Sequence, residues 1–215
     1  MKNQLYQVIS VVAIVASFIP ILLVSLKKLW KEPAFLLIAL YWVLSGMVNI
    51  LDKIDGISKP TLALVTIVYN MLDIPIILGI IYFTTASLTL KRYSRIAAPA
   101  LLLAQLVSFF IKGWNYDAAK YTLAAGLVLV LIAVVWELSL YMQKLVHTRH
   151  EKAMVFIHVS LLFAYGSFII IYIFDYYINM GSSTDNFIIY YISSLIAIII
   201  ASIGYLAKGS SRNFI

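Results

Sequence analysis

The chain has no cysteine, which excludes disulfide staples, thiolate metal sites and a cysteine nucleophile. Charge is scarce as well: Asp, Glu, Lys and Arg make up 12% of 215 residues, against about 25% in soluble domains. It contains no glycine-rich phosphate loop, H-E-x-x-H pair or nucleophile elbow. No repeat relates the two halves, so an inverted-repeat transporter plan has no support. What the chain does have is apolar residues, 63% of the total, with a mean hydropathy of +0.99. That composition belongs to an integral membrane protein. The net charge of +7 does not point to nucleic acid, because the charges fall between apolar runs and not on one face of a soluble module.

Seven apolar runs of spanning length occur, at residues 5–26, 34–51, 61–88, 96–111, 121–145, 153–177 and 186–207. A spanning helix needs about 20 residues, with a range near 17 to 25, and the run 96–111 is the shortest. Connections of roughly 6 to 10 residues leave no room for an extramembrane domain. The fold expected is therefore all-α, a polytopic seven-transmembrane-helix bundle forming one domain over residues 1–215.

Basic residues alternate between the two ends of these runs. Lys27, Lys28, Lys31, Lys91, Arg92, Arg95, Lys144, Arg149, Lys152, Lys208 and Arg212 share one side, eleven of the sixteen. Lys2, Lys53, Lys59, Lys112 and Lys120 are on the other, together with Asp52, Asp55, Asp117, Asp175 and Asp185. An even number of helices would scramble this bias. The expected topology puts the N-terminus outside and the C-terminus in the cytoplasm, in a bacterial cytoplasmic (inner) membrane. The first run also resembles a signal peptide, but it exceeds an h-region of about 7 to 15 residues and contains Pro20, with three lysines following. It reads as a retained first helix.

The run 61–88 carries Asp73, and a carboxylate near the bilayer centre costs roughly 2.5 to 3.5 kcal/mol. Asn70, Tyr69 and Thr66 precede it at helical spacing and share its face. Pro75 removes a backbone donor and frees the Met71 carbonyl, inviting a kink. In the second run Trp42, Ser45, Asn49 and Asp52 form another face running to the outer end. If the two faces meet, they line a pocket that opens outward and ends at Asp73, about 18 Å deep at 1.5 Å per residue. The alternative for the hydroxyls and amides is interhelical hydrogen bonding, at about 0.6 kcal/mol each; an ionisable group is seldom needed for that.

Gln105 lies at mid-depth on the fourth helix, where it serves either packing or a ligand. Glu137 and His158 lie at similar depths on sequence-adjacent helices, and in contact they would form a proton relay. His158, Tyr165 and Tyr172 recur every seven residues and either wall a cavity or pack. Tyr176 and Tyr177 read as aromatic-belt residues. Ser194, Ala197, Ala201 and Gly204 form a small-residue face that lets another backbone approach. His147, His150 and Glu151 lack a third ligand at fixed spacing and are crowded by Arg149 and Lys152, so no metal site is expected.

The residues 69–78, a tyrosine followed by Asp73, Pro75 and aliphatics, resemble the third helix of microbial rhodopsins. Phe163, Ala164, Tyr165, Gly166 and Phe168 are similar to that family's aromatic sixth helix, with Gly166 where proline is usual. The resemblance implies a seven-helix scaffold with an outer N-terminus and acidic groups facing a central pocket. The family holds retinal through a lysine midway along its seventh helix. Residues 186–207 contain none, and Lys208 is at the cytoplasmic end, so a covalent chromophore is not implied.

The expected function is noncovalent binding of a small or amphipathic ligand in an outward-facing intramembrane pocket, as in a sensor or receptor. Asp73, Asn70, Tyr69, Asn49, Ser45, Gln105, Tyr165 and Tyr172 are the candidate ligand residues. Alternatives are a proton-coupled small-molecule transporter using Asp73, Glu137 and His158, a rhodopsin-like scaffold without covalent retinal, an intramembrane lipid-modifying enzyme, and an assembly subunit. No catalytic residue, cofactor or metal is assigned. The expected partners are the bilayer and a small amphipathic ligand or lipid, and the basic loops should attract anionic headgroups.

Overall fold

A computed structural model describes residues 2–51, 53–54, 56–174 and 183–209. Asp52, Asp55, Asp175, Tyr176 and Tyr177 lie outside the described residues, as does the Asp185 side chain. Among the described residues the structure is all-helical: α1 (Lys2–Ala16), α2 (Ile19–Leu26), a 3-10 turn (Leu29–Lys31), α3 (Pro33–Leu51), α4 (Lys59–Thr84), α5 (Leu88–Lys112), α6 (Tyr116–Met142), α7 (Arg149–Ile173) and α8 (Ser183–Gly209). Seven segments are long and apolar enough to cross a membrane, with α1 and α2 together making the first.

Pro20 explains why that first segment is broken. Without an N–H it cannot bond to the Ala16 carbonyl, so the helix stops and restarts around residues 17 and 18. Ser17 turns its hydroxyl back onto the Ile14 carbonyl at 2.6 Å. Gly46 of α3 faces this break, and a Cβ there would collide with the Ser17 side chain. Pro75 behaves differently, for α4 continues through it to Thr84.

Two boundaries differ from the sequence expectation. The third span ends at Thr84 and the fourth begins at Leu88, not Ile96, so the fourth has 25 residues and is not the shortest. Thr85 is extended, and Ser87 caps α5 by accepting from the Leu90 N–H at 3.3 Å. Lys91, Arg92 and Arg95 therefore lie in the first turns of α5 and not in a loop. The fifth span ends at Met142, and α7 starts at Arg149 through a capping box between Thr148 and Glu151.

Sequential helices pack side by side from α3 to α8, α4 also touches α6, and α1 and α2 close the ring against α8. Gly204 of the small-residue face lies in the seam between α7 and α8. Ser194, Ala197, Ala201 and Gly204 are all buried, and a Cβ at Gly204 would stand 2.7 Å from the Ala153 carbonyl oxygen. Trp42, Tyr165, Tyr205 and Phe35 are the bulkiest fully buried side chains. Leu22, Val128 and Ile199 are among the apolar residues facing outward, as a lipid-facing surface requires.

Candidate functional site

Asp73 is buried in the middle of α4, 9% exposed. Tyr165 of α7 donates its hydroxyl to Asp73 Oδ2 at 2.8 Å. The hydroxyls of Tyr165 and Tyr41, the latter from α3, are 3.2 Å apart. Tyr69, one turn before Asp73, also bears on the carboxyl, as does Tyr41, but neither closes a bond of normal geometry to Oδ1, which is buried without a partner. Three helices thus meet at one acid surrounded by phenol groups. The phenols supply hydrogen bonds that the aliphatic neighbours Ile74 and Ile77 cannot.

A second polar group extends from this one towards α8. The hydroxyls of Tyr69 and Tyr190 both approach Ser45. Asn49 donates to the Ser45 carbonyl at 2.8 Å and to the Tyr190 hydroxyl at 3.3 Å, while Tyr191 donates to Asn49 Oδ1 at 3.3 Å. Phe168 stacks on Tyr190 and meets the edge of Tyr165, joining the two groups through their rings.

Beside Ser45 and Asn49 is a cavity of about 10 Å³, also lined by Ser17, Trp42, Tyr190 and Ser194. That is room for about one water. Trp42 Nε1 and Ser194 Oγ have no partner, and Ala13, Ile14 and Ile198 complete a mixed lining. Asp73 does not line it. Around the Asp73 carboxyl the structure gathers tyrosine rings, with this small hollow beside them.

The other candidates separate. Asn70 is half-buried and takes no part in the bonds around Asp73. Gln105 is buried on α5 with Oε1 unpartnered. Tyr172 donates to the Lys120 carbonyl at 2.9 Å and ties α7 to the start of α6. Glu137 and His158 are near enough for the imidazole to feel the carboxylate, but they form no ion pair. Glu137 Oε2 instead accepts from the Thr85 hydroxyl at 2.6 Å, and Thr85 in turn accepts from the Ser87 N–H at 3.1 Å. A direct relay between Glu137 and His158 is thus not assembled.

At the same end of the bundle, Glu32 accepts from His150 Nδ1 at 3.1 Å and from Lys208 Nζ at 3.0 Å. His147 instead bonds to the Tyr141 carbonyl and packs on its ring, so the two histidines diverge. Among the described residues no three His, Asp or Glu groups gather. Lys144, in the turn after α6, pairs with Glu151, and that hydrogen bond, with the carboxylate charge behind it, raises the ammonium pKa.

Sequence reasoning missed Tyr41, Tyr190, Tyr191 and Thr85. Tyr41 immediately precedes the polar face that starts at Trp42. Tyr190 precedes Ser194 by one helical turn, which was the available signal. Comparison of the chain with family models, curated proteins and solved structures gives no match.

Proposed function

We propose that this chain is a proton-coupled small-molecule carrier of the bacterial cytoplasmic membrane, with its N-terminus outside and its C-terminus in the cytoplasm, in which Asp73 loads and releases the proton. The observation that carries this reading is a buried carboxyl with one oxygen bonded to Tyr165 and the other facing no donor. An unmatched charge there disfavours the closed packing of α3, α4 and α7, while a proton on Oδ1 removes that charge. Ionisation then works as a switch between two packings. Tyr69 and Ser45 lead from the carboxyl towards the small cavity, which gives the proton an outer exit. Glu137, with Thr85, and His158 form a second titratable group near the basic end. The orientation rests on the excess of Lys and Arg at the end where Glu32, His150 and Lys208 meet.

The test is infrared difference spectroscopy of the reconstituted protein between acidic and alkaline buffer. A protonated-carboxyl band should appear in wild type and vanish in Asp73→Asn. Identical difference spectra for the two proteins would remove Asp73 as the proton site. In proteoliposomes, uptake of a panel of small solutes driven by a pH gradient should fail in the same variant.

A second reading, a sensor or receptor that binds a small amphipathic ligand noncovalently from outside, is favoured by one feature. Trp42 Nε1 and Ser194 Oγ stand unpartnered around the cavity beside Asn49. Entry would require Tyr190 and Tyr191 to swing away, so a ligand should stabilise wild type more than Asn49→Ala in a thermal-shift screen. A rhodopsin-like scaffold used without covalent retinal is compatible with either reading, since Asp73 and Tyr165 join the two helices that carry the resemblance. Nothing favours a lipid-modifying enzyme, because His158 is not among the residues gathered around Asp73.

A further inference from the structure

A different site opens between α4 and α5, at the end of the bundle where basic residues collect. A groove of about 390 Å³, open to the surroundings, is lined by Gly79, Tyr82, Ser94, Arg95 and Ala98. A Cβ placed on Gly79 would meet no atom within 4 Å, so this stretch of α4 is uncovered. Ser94 is 1% exposed and its hydroxyl has no partner. Arg95 is exposed beside it and enters none of the ion pairs among the described residues. The acids at this end are already engaged, Glu32 by His150 and Lys208, Glu137 by Thr85 and Glu151 by Lys144. Among the described residues the protein thus places a guanidinium at a groove, beside a buried unpartnered hydroxyl, with no anion to meet it.

Depth narrows the occupant. Tyr82 is about 3 Å from the end of α4, Gly79 about 8 Å, and Arg95 about 10 Å from the start of α5 at 1.5 Å per residue. Arginine at that depth reaches towards headgroup level along its aliphatic stem. Its planar fork suits phosphate oxygens. Deeper in, Gly79 and Ala98 offer only apolar surface over which a hydrocarbon tail can lie. A free inorganic anion would leave this lower part of the groove empty.

We propose that the groove holds one anionic phospholipid from the leaflet at the basic end, its phosphate on the Arg95 guanidinium and the Tyr82 hydroxyl, and one acyl chain across Gly79 and Ala98. The site is separate from Asp73 and does not depend on the proton reading. It specifies a preferred headgroup and a preferred place, beyond the general attraction of a basic surface.

The test is native mass spectrometry of the full chain released from detergent micelles titrated with phosphatidylglycerol or phosphatidylcholine. Wild type should retain one phosphatidylglycerol in preference to phosphatidylcholine, and inorganic phosphate should not displace it. Arg95→Gln should weaken that retention by about tenfold, the loss expected for one charge-assisted hydrogen bond. Gly79→Leu should weaken it with all charge intact, by filling the groove. If that variant fails to fold, Ala98→Leu fills the opposite wall. Arg92→Gln, on the same helix but outside the groove, should match wild type. Equal losses from Arg92→Gln and Arg95→Gln would reduce the effect to diffuse basic attraction and overturn the site. Unchanged retention after the groove is filled would overturn it too, as would equal retention of the two lipids.

Discussion

Asp73 and Glu32 carry the same chemical group in opposite settings. Asp73, midway along α4, is bonded to a phenol and surrounded by neutral hydroxyls. Glu32, between the first two spans, is half-buried and meets two basic groups, one on α7 and one on α8. The difference follows from depth. A lysine brought to mid-membrane to neutralise Asp73 would carry its own desolvation cost, whereas tyrosine brings a donor and an apolar ring together. At the bundle end water hydrates both partners, so ions cost little and contribute little. The central acid should therefore be sensitive to packing and to protonation, and the end acid to salt.

The largest test of this contrast is Tyr165→Ala. It empties a fully buried position shared by α3, α4 and α7 and should cost about 3 to 5 kcal/mol, read as lost stability in denaturant titration in micelles. A loss below about 1 kcal/mol would mean that the tyrosine cluster does not hold the bundle centre together. Gly204→Leu gives a yardstick from packing alone. Its side chain must displace the Ala153 backbone, and about 1 to 3 kcal/mol is expected by the same measurement.

The polar terms are smaller. A double-mutant cycle of Asp73→Asn and Tyr165→Phe should give a coupling of about 0.6 kcal/mol, and no more than about 1.7 kcal/mol, unaltered by added salt. The matching cycle of Glu32→Gln and Lys208→Met should give about 0.2 to 1 kcal/mol and shrink as salt rises. Equal salt responses in the two cycles would erase the distinction by depth. Smallest of all is the Lys144 contribution. Its pKa is raised in the folded state, so its stabilisation is complete below the ordinary lysine pKa and is lost as pH climbs through the raised value. Proteolysis at residues 143–148 should therefore quicken in alkali, and Glu151→Gln should abolish that alkaline dependence.

Much of the architecture was legible because bilayer thickness forces long apolar runs, and seven of them are present in the sequence. The junction between the third and fourth spans was not. Residues 84–88 carry no charge and read as continuous membrane sequence, so only Ser87, as a helix cap, marked the true start of α5. The first span looked unbroken for the same reason, although Pro20 signalled its break. Asp73 stood out because an acid in an apolar run is conspicuous, and Tyr69 and Tyr165 were recognised with it. Tyr41, Tyr190 and Tyr191 were not, since fifteen tyrosines look alike until tertiary packing selects among them. Thr85 was hidden further: its partner Glu137 lies 52 positions away, and no periodicity links the two. The shape of any pocket was not legible for a related reason. Helical phase tells which residues share a face, but the volume left between faces depends on ring rotamers.

Helix α4 has one polar joint at its middle and another where it ends. Asp73 and Thr85 are twelve residues apart on the chain, about 18 Å of rise from one to the last turn before the other, and the helix between them is uninterrupted. It works as a connecting rod, pinned to α7 through Tyr165 and to α6 through Glu137. An axial shift of α4 would strain both pins together. A displacement of α4 at the buried acid should therefore be felt at Glu137, beside the turn that launches α5.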